Sequence, residues 1–109
     1  MNTTEQIIRE IEEAIRTGDE TYTPPSGMQI HRLFLSEVGY TPTEYLKRRR
    51  LSAALARIRA SEWKDADIAY ACGYSSQQAM CREIRKQIAM TAGQYRKGTD
   101  ILYFPPYTG

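Results

Sequence analysis

The stretch that decides the fold is DIAYACGYSSQQAMCREIRKQIAMTAGQYRKG, residues 67–98, in which a glycine separates two segments of helical character. Ala69 is small enough to let two helices cross closely, and Gly73 permits a left-handed backbone in a tight turn. The spacing therefore predicts a helix-turn-helix, with helices at about 64–71 and 76–88. Residues 91–98 are predicted to form a final turn.

The second helix of this motif has two contrasting faces at 100° per residue. Its buried face is predicted from three apolar positions: Met80, Ile84 and Ile88. Its opposite face holds the polar and basic positions: Gln78, Cys81, Arg82, Arg85 and Lys86. In the DNA major groove arginine pairs with guanine and glutamine with adenine, so this face is typical of a base-reading helix. Gln77 lies nearer the apolar face and would reach a base only from the helix N-terminus.

A similar pattern occurs 50 residues earlier, in GMQIHRLFLSEVGYTPTEYLKRR, residues 27–49. A constant shift of 50 aligns Arg32 with Arg82, and Tyr45 with Tyr95. One offset held over this span indicates one structural unit used twice.

The remaining segments predict further helices and no strand. Thr3 or Thr4 is predicted to cap a first helix that ends at Gly18, and Ser26 to cap a second that ends near Gly39. A long third helix is predicted over 42–60, with Thr41 or Thr43 near its cap. Positions predicted to face inward are Ile7, Ile8, Ile11, Ala14 and Ile15 in the first helix, Ile30, Leu33, Phe34 and Val38 in the second, and Leu51, Ala54, Leu55 and Ile58 in the third. No segment alternates at period two, so the prediction is all-α.

Composition is that of an ordinary globular chain, but its charge is unevenly distributed. The 109 residues are 41% apolar and 26% charged, with a formal net charge of +2. Residues 1–27 hold two basic and six acidic groups, whereas residues 28–109 hold thirteen basic and seven acidic groups. A basic body fits a polyanionic partner such as nucleic acid. Charge alone is equally consistent with a solvated mixed surface.

Several classes of protein are not indicated by the sequence. Two cysteines form no disulfide framework, and His31 has no cysteine or carboxylate at ligand spacing. No signal peptide opens the chain and no apolar run approaches ~20 residues. No catalytic arrangement of side chains is present. We therefore expect a cytoplasmic protein that is not an enzyme and uses no metal or cofactor.

The segment IAYACGYSSQQAMCREIRKQIAMTAGQYRK resembles the second helix-turn-helix of the AraC/XylS family of bacterial transcription regulators. HRLFLSEVGYTPTEYLKRRRLSAALARI resembles that family's first recognition helix and linker helix. The resemblance implies an all-α, homeodomain-like fold of two helix-turn-helix subdomains, or heads, joined by a long linker helix. It places a DNA-binding domain at 1–98, with a first head at 1–40, a linker at 41–60 and a second head at 61–98. Residues 99–109 are predicted to form an extended tail.

The resemblance also implies which residues contact DNA. In the second head these are Gln77, Gln78, Cys81 and Arg82, to which the helix face adds Arg85 and Lys86. In the first head they are Met28, His31 and Arg32. The alternatives for Arg82 are a solvated charge or a pair with Glu83 or Asp65. The run 47–50, which includes Arg49 and Arg50, either contacts phosphates or solvates the linker helix. Trp63, Tyr103, Phe104 and Tyr107 are interpreted as packing residues.

The family's first head also contains a scaffold helix, for which this chain has no room between Gly18 and Ser26.

Two functions are consistent with the sequence. The first is a sequence-specific DNA-binding transcription regulator whose partners are double-stranded DNA and RNA polymerase or a related regulator. The alternative is a degenerate protein-interaction module or antagonist that no longer binds an operator. The chain resembles single-module members of the family, so no membrane partner and no small-molecule ligand are expected.

Overall fold

The computed structural model describes residues 2–109, and in this part of the chain it contains six helices and no strand. The helices are α1 (Thr3–Thr17), α2 (Met28–Val38), α3 (Pro42–Ala60), α4 (Asp65–Ala71), α5 (Gln77–Ile88) and α6 (Ala92–Lys97). The all-α prediction is confirmed, and residue 1 of the predicted domain lies outside the described residues. No helix within residues 2–109 is long and apolar enough to cross a membrane.

Local capping explains where most helices begin. Thr41 caps α3 as predicted, since its side chain accepts a hydrogen bond from the backbone N–H of Glu44. The predicted cap of α1 is wrong: Asn2, in an extended conformation, accepts from Glu5 N at 2.8 Å. Thr4 is instead buried and donates to Glu37. The predicted Ser26 cap is also wrong, because α2 starts after Gly27 with no side-chain cap.

The predicted final turn is a short sixth helix. Thr91 Oγ1 accepts from Gln94 N at 3.0 Å, and Gln94 Oε1 accepts from Thr91 N at 2.9 Å. This reciprocal capping box satisfies two backbone donors at once. It allows a helix of only six residues, which packs Ala92 and Tyr95 into the core.

Two hydrophobic clusters lie along α3. One cluster joins its second half to α4, α5 and α6, and contains the four predicted inward positions of α3, all buried. The other joins its first half to α1 and α2, through Tyr45 and Leu46. Leu33 was predicted to face inward, but it is 41% exposed. The reason is that α2 packs along one narrow line, Ile30, Phe34 and Val38, and Leu33 lies 100° from it.

Residues 99–109 form no helix or strand and run back along α3. Three backbone N–H groups donate to buried or half-buried hydroxyls: Leu102 to Tyr95, Phe104 to Ser52 and Tyr107 to Tyr45. The Phe104 ring packs edge-on against Tyr40, with ring centroids 5.2 Å apart. The tail is therefore packed against the body of the molecule. Phe104 and Tyr107 are half-buried as predicted, whereas Tyr103 is 62% exposed and Trp63 50% exposed.

The two heads meet backbone against backbone at two glycines. Gly18 ends α1 with φ +70°, and a Cβ there would lie 3.0 Å from the carbonyl oxygens of Tyr70 and Ala71. Gly73 has φ +86°, and a Cβ there would lie 3.3 Å from the carbonyl carbon of Gly18. The C-terminus of α1 thus rests directly on the turn between α4 and α5.

We expect Gly18→Ala and Gly73→Ala each to lower the free energy of unfolding by about 1–2 kcal/mol or more. The left-handed backbone strains an L side chain, and the added methyl group meets backbone atoms that cannot rotate away. Gly93→Ala is the control, because it lies in α6 with its nearest neighbour 3.9 Å away. It should be neutral or stabilising by up to about 1 kcal/mol. Urea unfolding followed by circular dichroism measures all three, and equal stabilities would contradict the packing described.

Phe104→Ala should lower the free energy of unfolding by about 1–3 kcal/mol, less than the cost for a fully buried phenylalanine, because Phe104 is half-buried. The neighbouring, exposed Tyr103→Ala is the matched control and should change stability by no more than about 0.5 kcal/mol. The same unfolding measurement decides the matter. An unchanged free energy of unfolding for Phe104→Ala would mean that the tail does not pack on α3 in solution.

Candidate nucleic-acid interface

The segment from α4 to α5 has the geometry of a helix-turn-helix. Gly73 N donates to Tyr70 O at 3.2 Å, and Tyr74 N donates to Ala69 O at 2.9 Å, which closes the turn after α4. Ala69 is 1% exposed. A small buried residue at this position lets α4 and α5 approach closely, as the spacing predicted.

The orientation of α5 is fixed by its buried face. Met80 and Ile84 are completely buried in the cluster formed by α3 to α6, and Ile88 is half-buried against it. At its start, Ser76 Oγ accepts from Ala79 N at 3.0 Å and so caps the helix. The helix cannot rotate without exposing these apolar side chains, so its opposite face is held toward solvent.

The exposed face of α5, hereafter the α5 face, carries most of the predicted reading residues. The exposed side chains are Gln77, Gln78, Arg82, Arg85 and Lys86. Gln77 stands at the first helical position and is exposed, although its position on the wheel lies nearer the apolar side. Cys81 is half-buried, and burial raises the pKa of its thiol, which favours the neutral form.

The basic groups of the α5 face have no counter-charge of their own. Among residues 2–109, Arg82, Arg85 and Lys86 make no ion pair. Asp65, considered as a partner for Arg82, instead lies 3.3 Å from Arg96, and Glu83 accepts a hydrogen bond from Gln87. Three cations on one helix face produce a local positive potential that attracts polyanions.

The first head presents a different surface. On α2, Met28 is 70% exposed, Arg32 is exposed and His31 is half-buried. Leu35, 47% exposed, lies on the same side. Residues 18–27, before α2, form no helix, in agreement with the missing scaffold helix. The exposed side of α2 therefore offers one fixed positive charge among apolar groups.

The structure does not bring Arg49 to the α5 face. Its side chain is 13% exposed and forms a two-point ion pair with Glu12 of α1, at 2.6 Å and 3.0 Å. A third nitrogen donates to the carbonyl oxygen of Phe104. Arg49 thus ties α1 and the tail to α3. Glu12 lies 37 residues away, so no local pattern in the sequence could have revealed this pairing.

Arg50 and Lys47 lie nearer the α5 face, because both line a cleft that Arg82 also borders. The Arg50 guanidinium stands 5.8 Å from the centre of the Tyr74 ring. Tyr70, which is 83% exposed on α4, is a further candidate that was not among the predicted site residues. In a helix-turn-helix the first helix crosses the nucleic-acid backbone, where a phenolic hydroxyl can donate to phosphate. Tyr70 lies 100° around α4 from the buried Ala69 and 200° from the buried Ile68, so the helical period would have predicted its exposure.

Comparison with known proteins agrees with this geometry. A family model described as a helix-turn-helix domain matches residues 25–98. The HTH-type transcriptional activator RhaS, in Escherichia coli strains O139:H28 and K12, is 35% identical over 71 residues. These residues make up 65% of this chain but 26% of RhaS, so the chain spans about a quarter of the length of these curated relatives.

Two solved structures have the same fold at low sequence identity. The C-terminal domain of the response regulator yesN from Fusobacterium nucleatum has a TM-score of 0.77 at 24% identity, covering 89% of this chain and 100% of that one. The DNA-binding domain of AdpA, solved in complex with a target DNA, has a TM-score of 0.75 at 19% identity, covering 88% and 91%. With the family match over more than half of its length, the chain belongs to the AraC-type family of helix-turn-helix proteins.

Proposed function

We propose that this chain is a sequence-specific DNA-binding domain that regulates transcription by inserting α5 into the major groove. The observation that carries the proposal is the α5 face, where glutamine and arginine side chains are exposed and the cations form no ion pair with any residue from 2 to 109. The fold similarity to a domain solved with its target DNA supports it. We place this role in the cytoplasm, because that is where bacterial DNA lies. We propose no enzymatic activity.

We assign the residues of the α5 face to base edges or to phosphates according to their position along the helix. Gln77 and Gln78 lie at the N-terminus of α5, the end that contacts base edges in helix-turn-helix proteins, and Arg82 follows one turn later. We assign these three to base edges, with Cys81 between them as a small neutral contact. Arg85 and Lys86, near the C-terminus of α5, are assigned to phosphates.

A second contact by the first head, through Met28, His31 and Arg32, is compatible with the size of the molecule. Its longest dimension is 41 Å, and successive major grooves on one face of DNA are ~34 Å apart. Of these three residues only Arg32 carries a fixed positive charge, and phosphate neutralisation supplies most of the affinity for DNA. We infer that the second head supplies most of the binding free energy.

The alternative function is a protein-interaction module without an operator. The observation that favours it is the exposure of Met28 and Leu35, which flank Arg32 on α2. Exposed apolar side chains are typical of surfaces that meet another protein. The partner in this case is a related regulator, which the chain would assist or antagonise. A gel-shift assay with random duplex DNA at low salt distinguishes the two functions, since only the first requires a retarded complex, and selection from randomised duplexes then gives the operator.

Arg82→Ala should weaken binding to the selected operator by about 1–3 kcal/mol and relax the preference at one base pair. Lys86→Ala is the comparison variant: it should weaken binding to all sequences alike and reduce the salt slope by about one. Both are exposed, so neither substitution should unfold the chain. Equal losses for Arg82→Ala on operator and random DNA would assign Arg82 to phosphate instead.

The two heads should contribute unequally. We expect Arg32→Ala to cost clearly less affinity for the operator than Arg82→Ala, because Arg32 lies in a head with fewer cations and no scaffold helix. Footprinting of the wild-type complex should show one strongly protected groove. Equal losses in the two variants, or equal protection of two successive grooves, would show that the heads are equivalent.

A further inference from the structure

A cleft of about 280 Å³ lies between the two heads, beside the N-terminal half of α5. Side chains from four parts of the chain line it: Lys47 and Arg50 from α3, Tyr74 from the turn, Arg82 and Glu83 from α5, and Glu20 from the loop after α1. The three cations come from two helices that belong to different parts of the fold. Their convergence is therefore a product of the tertiary structure and not of a local run of basic residues.

The cleft contains buried hydrogen-bond donors without acceptors. In the described part of the chain, Arg50 Nε and Nη2 and the Tyr74 hydroxyl are buried and have no hydrogen-bond partner. Burial lowers the pKa of Arg50, yet a guanidinium remains protonated at any physiological pH. Most buried polar groups in native proteins are paired, so three orphaned donors lining one cleft indicate that an acceptor belongs there.

The Arg50 side chain is half-buried and lies against the turn between α4 and α5. Its Nε lies 3.5 Å from the position that a Cβ on Gly73 would occupy, and its guanidinium carbon lies 5.8 Å from the Tyr74 ring centroid. A fixed planar guanidinium presents parallel N–H groups that match the oxygens of a phosphate. A flexible surface arginine would lose more conformational entropy on binding the same group.

Cations and carboxylates both lie around the cleft. Lys47 and Arg82 are exposed and free of ion pairs among residues 2–109, whereas Glu83 is half-buried and accepts from Gln87. Glu20 is exposed, lines the same cleft and opposes the cations. Asp19 is a third carboxylate and acts electrostatically on Arg50, so the attraction for an anion comes from the buried donors and from the cations at the opening, not from an excess of positive charge.

We propose that this cleft is a binding site for a phosphate group, with Arg50 and Tyr74 as buried donors and Lys47 as the charge that contacts the phosphate at the opening. Arg82, assigned to a base edge, adds only its positive potential. The proposal rests on the proposed function only for the source of the phosphate. Beside the α5 face, the DNA backbone that runs from one major groove to the next supplies one source. A free phosphate anion is the other.

The Arg50 Nε–H resonance in ¹⁵N-labelled protein tests the site directly, and Arg50→Lys assigns it by removing that signal. One titration uses inorganic phosphate against chloride at equal ionic strength, and the other uses a short random duplex in phosphate-free buffer. A shift in both titrations, or with DNA alone, supports the site with a backbone phosphate as occupant. A shift with inorganic phosphate alone supports the site for a free anion, and would separate it from the DNA-binding function.

Substitutions at the opening give a second measurement. Lys47→Ala should weaken the binding of the phosphate source that shifts the Arg50 signal by roughly 2- to 5-fold, the range for one exposed charge pair. Lys64 is also exposed but does not line the cleft, so Lys64→Ala should leave that binding unchanged. Glu20→Gln should strengthen it by a similar factor. Thermal unfolding of each variant confirms that the fold is retained.

Two outcomes overturn the proposal. The first is an Arg50 Nε–H signal that does not move in either titration, while the Gln77 and Gln78 side-chain amides move with DNA; the chain would then bind DNA without using this cleft. The second is equal affinity for Lys47→Ala and Lys64→Ala together with no effect of Glu20→Gln. A failure of DNA to move any resonance would count against the proposed function and leave the inorganic phosphate titration to decide the site.

Discussion

The arrangement of the molecule depends on α3 contributing to both hydrophobic clusters. Tyr45 and Leu46 are buried with α1 and α2, whereas Leu55 and Ile58 are buried with α4, α5 and α6. A single stripe of apolar residues would bury one face along the whole helix, but here the buried face changes along its length. Since an α-helix is stiff over 19 residues, the two clusters are held at a fixed separation and rotation. The α5 face inherits its direction from that helix.

Features set by near neighbours in sequence could be predicted, and features set by distant partners could not. The helix-turn-helix follows from Ala69, Gly73 and the period of α5, all within one short stretch. Leu33 and Phe34 are both apolar, so the sequence pattern predicts that both are buried. Only Phe34 is buried, because α2 packs along one narrow line of residues. At the candidate site, the exposure of Arg82 follows from the helical wheel. The burial of Arg49 depends on Glu12 and on the tail, neither of which a local pattern includes.

The missing scaffold helix has not left the first head detached. The loop after α1 packs against the first head. The Tyr22 hydroxyl donates to Glu10 Oε1, with the two oxygens 3.1 Å apart, and Pro24 is buried. At the end of α1, Gly18 rests on the turn of the second head, so the first head is joined to the second by direct contact as well as through α3. We expect a change at that contact to shift the turn that positions α5. Such a change would couple the first head to the α5 face even where α2 itself contributes little.

The N-terminal part of the chain is acidic, and a negative surface repels DNA. In the folded chain two of the four carboxylates of α1 have a cationic partner: Glu12 pairs with Arg49 and Glu13 with Arg16, whereas Glu10 accepts hydrogen bonds from the neutral groups of Gln6 and Tyr22. Paired charges project a weaker field than free ones, and at ~0.15 M salt exposed charges are screened beyond about 8 Å. Within residues 2–109 the cations of the α5 face have no such partners. The α5 face therefore offers an approaching polyanion an unneutralised positive surface, although the N-terminal part of the chain is acidic.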